Sequence, residues 1–306
     1  MFLKKRIRQG FFSLFVAASL LPAWAFAGAL GNIDRLENKN VLFVITSHDQ
    51  LGDSHNKTGY WLEELAAPYE ILSEAGANIT LASPLGGKPP VDPISLKSAA
   101  QSKYTKMFKH DQQAQEALSK TLVLTSVHPE DYDAVFYPGG HGPLYDLADN
   151  QDSIRLIEDF AKAKKPVAVL CHSPSVLKNV KDIRGDFLVN GRKITSFSDS
   201  EEAGAALARK YYWVPLFLQK LGNGHTYSLA KLPQNQLMEK LHLKGVLPFL
   251  TEDMLKESGA HYQRKPNWEA FVVDDVTADG GVILSGQNPQ SSSLLAKKLV
   301  EILVSK

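Results

Sequence analysis

No disulfide can form within this 306-residue chain, because Cys171 is its only cysteine. That thiol is free, or it pairs with another molecule. A basic excess is also missing: 34 lysines and arginines stand against 33 aspartates and glutamates, for a formal net charge of +1. With no basic patch either, nothing in the charge balance makes a case for a nucleic-acid partner, and none is expected. The nine histidines show no HExxH and no Cys/His ligand spacing, so no metal is expected. Gly139-Gly140-His141-Gly142 lacks the spacing of a dinucleotide fingerprint, and no cofactor is expected. Repeats and low-complexity tails are absent.

Address comes from the first 27 residues. Lys4, Lys5, Arg6 and Arg8 form a positive leader, Phe11 to Leu21 an apolar core too short to span a bilayer, and Ala25-Phe26-Ala27 a small-x-small cleavage pattern. Residues 1–27 therefore read as a signal peptide, with Gly28 the first mature residue and the periplasm or the exterior as destination. This segment has four basic residues and no acidic one, so its removal takes the formal net charge from +1 to −3. Residues 28–306 suffice for one large domain, or a domain with a cap.

Short apolar runs alternate with amphipathic stretches. Val41 to Ile45, Asn78 to Ser83, Tyr132 to Tyr137 and Val167 to Leu170 read as buried strands. Tyr60 to Ala75, Asp111 to Ser119 and Gln151 to Ala163 read as helices between them, which predicts an α/β chain with a parallel sheet. Pro84 to Ser102, with Gly86-Gly87 and Pro89-Pro90, reads as a surface loop. Further on, Gly191 to Thr195 reads as a hairpin or short strand, and Asp199 to Lys210 and Thr251 to Ser258 as helices. Phe271 to Val273 and Val282 to Leu284 read as the last strands, and Ser291 to Leu303 as the closing helix. Tyr211 to Leu247 is the least regular part. Its apolar stretch Tyr211 to Leu218 suits a pocket cap, a dimer surface or ordinary core.

Cys171 stands where the strand Val167 to Leu170 stops. A turn at that point exposes a side chain, and the N–H groups of a following helix favour thiolate, so Cys171 is a candidate nucleophile. His172 is the adjacent candidate base. Its backbone N–H, with that of Gly140 in the glycine turn Pro138 to Pro143, is a candidate oxyanion donor. His141 either lines the pocket mouth or is an ordinary loop histidine.

Read in order, several segments resemble the DJ-1/PfpI superfamily and, within it, the Hsp31-like group of glyoxalase III, protein deglycase and holding-chaperone proteins. They are Thr58-Gly59 with Glu64; Ala82 to Pro93; Pro138 to Leu147; Ala168 to Pro174; Gly191 to Glu202; Pro248 to Asp253; and Ser285 to Ser292. The resemblance implies a flavodoxin-like parallel-sheet sandwich of the class I glutamine amidotransferase-like type, with 211–247 as a small cap or insertion. It implies Cys171 as nucleophile, His172 in the catalytic set, and Glu64 as an acid contacting the thiol. A protonated Glu64 would donate to a thiolate, whereas an ionised one would repel it. A carboxylate orienting the histidine is also implied; Asp199, Glu201 and Glu202 compete for that role, with spacing slightly favouring Glu202. Some relatives hold a metal between two histidines and a carboxylate, a pattern His48, His55 and His128 do not match.

The implied activity is a cofactor-free, glutathione-independent conversion of small α-oxoaldehydes, methylglyoxal to lactate, or removal of glycation adducts. A holding chaperone for unfolded clients, built on Tyr211 to Leu218, and a cysteine peptidase or amidase are the alternatives. A homodimer is the expected assembly.

Overall fold

The structure, a computed structural model, describes residues 36–210 and 223–305. The expected signal peptide and the apolar stretch Tyr211 to Leu218 lie outside those residues.

Strand β1 (Asn40–Val44) leads to helix α1 (Leu62–Glu74) and strand β2 (Asn78–Ser83). Helices α2 (Lys103–His110) and α3 (Gln112–Ser119) then precede β3 (Leu122–Val123) and β4 (Ala134–Tyr137). One turn of helix, α4 (Pro143–Asp146), and α5 (Gln151–Lys162) lead to β5 (Val167–Leu170). Beyond it come β6 (Lys193–Ile194), α6 (Asp199–Lys210), α7 (Asn223–Leu229), α8 (Gln234–Lys240), α9 (Thr251–Glu257) and β7 (His261–Tyr262). Strands β8 (Val272–Val276) and β9 (Val282–Gly286) and helix α10 (Ser292–Val304) close the chain.

Among the described residues, seven strands form one sheet in the order β3-β2-β1-β4-β5-β9-β8. All neighbours pair in parallel except β8, which runs antiparallel to β9. The sheet is thus mixed rather than wholly parallel. The tight turn in which Thr277 N–H donates to the Gly281 carbonyl (2.8 Å) is too short for a crossover. Of the hairpin or short strand expected at Gly191 to Thr195, the structure shows the short strand: β6 pairs in parallel with the distant β7.

Alternation along the strands makes two apolar layers. Val41 and Phe43 of β1 pack on one face with Leu65, Leu72, Leu299 and Leu303 of α1 and α10. Leu42 and Val44 pack on the other with Ile157 and Phe160 of α5. Covering both faces makes the strands continuously apolar, and each large side chain fully buried contributes about 1.5–3 kcal/mol. A third cluster joins Leu51, Leu144 and Ala203 to Leu237, Leu243 and Leu247 of the α8 region, which is where the described part of 211–247 packs.

Helix α2 was absent from the sequence expectation. Ser102 caps it, its hydroxyl accepting from the Tyr104 and Thr105 N–H groups while Thr105 Oγ1 accepts from the Ser102 N–H.

Candidate active site

The parallel sheet brings β5 between β4 and β9 and ends it at Leu170. Cys171 turns out of the strand with φ +62°, in the left-handed region that an L side chain enters only under constraint, at of order 1–3 kcal/mol. The constraint is visible. Cys171 N–H donates to the Gly286 carbonyl (2.9 Å), and its own carbonyl accepts from Phe197 N–H (2.7 Å). Ser173 Oγ accepts from Leu170 N–H (2.6 Å) and donates to the Tyr137 carbonyl (2.6 Å), tying the turn to β4. Residues Ser173–Leu177 then form a 3-10 turn rather than the expected α-helix. The turn has the geometry of a nucleophile elbow, a sharp strand-to-helical turn that carries one side chain at the strand end.

His172, adjacent in sequence, does reach the sulfur: its Nδ1 lies 3.2 Å from Cys171 Sγ. Its Nε2 lies 2.8 Å from Glu202 Oε2. A carboxylate only accepts, so Nε2 carries the proton and Nδ1 presents its lone pair to the thiol. The ring is held between Phe197 and His141, whose centroids stand 4.5 and 4.1 Å away.

The three competing acids separate by packing. Glu202 alone meets the histidine. Glu201 is structural: it accepts from Trp268 N–H, Ser198 N–H, Ser198 Oγ and Asn288 Nδ2 at 2.8–3.0 Å. Asp199 is buried beside Glu252 and Asp253; desolvation first, then those charges, push its carboxyl up to about 9.

Glu64 projects from the first turn of α1 and is fully buried. Its Oε2 accepts the Gly139 N–H at 2.9 Å, and the Trp61 N–H donates to the Gly139 carbonyl at 3.0 Å, stapling α1 to the glycine turn. Its Oε1 has no nitrogen or oxygen partner. Burial pushes the Glu64 carboxyl well above the carboxylate range; its hydrogen bond with Cys171 and the Gly139 N–H pull the other way. Burial also raises the Cys171 thiol, reinforced by Glu64, while the Gly140 N–H bond favours thiolate. Burial and the nearness of the other group both act against negative charge on Glu64 and Cys171 at the same time.

Gly139 was not singled out in the sequence, although it provides both the N–H for Glu64 and the space beside it. Gly140 has φ +92° and gives its N–H to the sulfur. The His141 side chain is 12 % exposed and its Nε2 lies 3.2 Å from Glu202 Oε2. The ligating atoms of His141, His172 and Glu202 all lie within 4.8 Å of one another. A shallow depression lined by Ile71, Glu74, Lys297 and Glu301, between α1 and α10, shares no residue with this site.

A mixed α/β sheet with a cysteine at a strand-end elbow, a histidine against its sulfur and a buried glutamic acid beside it defines a cysteine-elbow α/β protein. The DJ-1/PfpI family profile matches residues 57–212. The chain belongs to the DJ-1/PfpI family, and its fold is of the DJ-1/ThiJ/PfpI type. It is similar to Glyoxalase 3 of Candida albicans, at 25 % identity over 85 % of this chain and 96 % of that protein. It is also similar to the Protein/nucleic acid deglycase HchA of Pseudomonas aeruginosa, at 30 % identity over 60 % of this chain and 68 % of that one. Among solved structures, the Francisella tularensis Rapid Encystment Protein 24 kDa superposes with a TM-score of 0.68 at 30 % identity, covering 87 % of this chain and 99 % of that one.

Proposed function

We propose that this protein is a glutathione-independent enzyme acting on small α-oxoaldehydes, hydrating methylglyoxal to lactate, or removing the related glycation adducts. The observation that carries the proposal is the sulfur of Cys171 held between two proton carriers: His172 Nδ1 at 3.2 Å and the buried Glu64, whose carboxyl burial pushes up. Relatives named for glyoxalase and deglycase activity support the substrate class.

In the proposed reaction His172 accepts the Cys171 proton, and the thiolate adds to the aldehyde carbon to give a hemithioacetal. The Gly140 and His172 backbone N–H groups are the proposed donors to its oxygen. Removal of the proton from that carbon, with proton delivery to the neighbouring carbonyl oxygen, gives an enediol-like intermediate. Glu64 or His172 then returns a proton to the second carbon while the hydroxyl on the first carbon gives up its own, leaving a lactoyl thioester. Water hydrolyses it to lactate and restores the thiol. Glu202 keeps the His172 lone pair on the sulfur side throughout.

Lactate formed from methylglyoxal without added thiol, by the wild type and by Cys171→Ala, tests the proposal. Turnover in the wild type alone supports it; turnover in neither, or equal turnover in both, overturns it. A cysteine peptidase or amidase would use the same Cys171, His172 and Glu202, but acyl transfer has no need of a second, buried carboxyl at the sulfur. Peptide or amide hydrolysis without oxoaldehyde turnover would favour that reading.

The strand order supports a flavodoxin-like, class I glutamine amidotransferase-like reading of the fold. Export is part of the same proposal: the sequence of residues 1–27 supports a cleaved signal peptide, and N-terminal sequencing of the exported protein is expected to begin at Gly28.

A further inference from the structure

We propose that His141, His172 and Glu202 form a binding site for a divalent cation of the zinc class, and that filling it switches the elbow off. The proposal rests on side-chain geometry and is independent of the substrate assigned above.

The three donors come from three separate elements: the turn after β4, the elbow after β5 and the first turn of α6. Each backbone is fixed by the sheet or by packing. Their side chains are only 12 %, 6 % and 4 % exposed, so the donors are already gathered and largely desolvated. His141 is the most open of the three.

Spacing fits a metal as well as it fits hydrogen bonds. Glu202 Oε2 stands 2.8 Å from His172 Nε2 and 3.2 Å from His141 Nε2. Tetrahedral zinc, with bonds of about 2.0–2.2 Å to nitrogen and oxygen, holds its ligands about 3.3 Å apart. With all three ligating atoms already within 4.8 Å of one another, side-chain adjustments convert two N–H···O contacts into three bonds to one ion. Two histidines and a glutamate are also a donor set that zinc accepts with a further position left open.

The effect on catalysis arises from the two nitrogens of one ring. A cation on His172 Nε2 requires its proton on Nδ1, so the ring changes tautomer without losing a proton. Nδ1 then faces Cys171 Sγ as an N–H donor instead of an acceptor, and it can no longer take the thiol proton. Glu202 is simultaneously drawn to the ion. Sulfur is not a ligand, because Sγ lies on the Nδ1 side of the ring.

Titration of the chelator-treated protein with Co²⁺ tests the site. One equivalent is expected to bind with visible ligand-field bands, without a thiolate-to-cobalt charge-transfer band, and to be displaced by Zn²⁺. Binding should persist in Cys171→Ala and weaken on the order of tenfold or more in His141→Gln and in Glu202→Gln. Circular dichroism confirms that each variant is folded. Iodoacetamide reports the switch without substrate: Zn²⁺ should change the rate of Cys171 alkylation in the wild type and not in His141→Gln. Absence of Co²⁺ binding, binding unaffected in either ligand variant, a thiolate band, loss of binding in Cys171→Ala, or alkylation indifferent to Zn²⁺ would each overturn the proposal. A protein that binds Co²⁺ as described but makes no lactate from methylglyoxal refutes the oxoaldehyde reading alone.

Discussion

The Glu64 carboxyl occupies the space beside Gly139 that a side chain would need: a Cβ at position 139 would stand 2.5 Å from Glu64 Oε2 and 2.9 Å from Cys171 Cβ. The Leu170 carbonyl closes the third side. Gly139→Ala must therefore push Glu64 away from the sulfur or shift the strand end. The expected loss is about 1–3 kcal/mol of stability by denaturant unfolding, together with a fall in kcat larger than the change in KM. Unchanged kinetics would show that the spacing between Glu64 and Cys171 is not critical.

Glu64→Gln separates charge from proton transfer. Glutamine can keep the Gly139 N–H contact and offer an N–H toward the sulfur, but it has no acidic proton. Glu64 raises the Cys171 thiol, so its replacement should move the pH midpoint of iodoacetamide alkylation downward. Oxoaldehyde turnover should still fall, by about 10²–10⁴-fold. A thiol that becomes more reactive in an enzyme that becomes slower is the expected pair of results.

Neighbouring acids on α6 predict opposite phenotypes. Glu202→Gln leaves packing in place and disturbs the His172 tautomer, so kcat should fall by about 10²–10⁴-fold with little change in melting temperature. Glu201→Gln sets an amide against donors from Ser198, Trp268 or Asn288, and stability should drop by about 1–3 kcal/mol. Thermal unfolding beside steady-state kinetics distinguishes them.

Asp199 predicts a loss of stability as pH rises. Its carboxyl is raised in the folded protein from 3.8 to about 9, so between those values the unfolded chain releases a proton that the folded one retains. That contribution is complete below pH 3.8 and is lost progressively as pH rises toward 9. Asp199→Asn cannot ionise. Across this interval its melting temperature should fall less than that of the wild type, and parallel curves would contradict the assignment.

Strands buried on both faces were readable as uninterrupted apolar runs, which is why β1, β4 and β5 and the position of Cys171 at a strand end were legible. Pairing was less so. The two-residue strands β6 and β7 have no periodicity to detect, and their contact spans the chain from Lys193 to His261. Helix α2 is mostly polar, and its clearest signal, Ser102 with Thr105, is a cap rather than an apolar stripe. At the site, Glu64 was named through the family pattern. Glu201 and Glu202, one residue apart at a helix start, point about 100° from each other, and only tertiary packing determines which meets His172. The approach of His141 to Glu202, across 61 positions, left no local trace.

The elbow also has an order of assembly. The backbone N–H of Cys171 needs the Gly286 carbonyl, 115 residues further along, and its carbonyl needs the Phe197 N–H. A growing chain has neither β9 nor the Phe197 segment docked, so its thiol is an ordinary cysteine. The reactive geometry arises only when β9 takes its place beside β5, and a chain that stops short of Gly286 carries the residue without its constraint. Closure of the sheet is thus the event that arms the site.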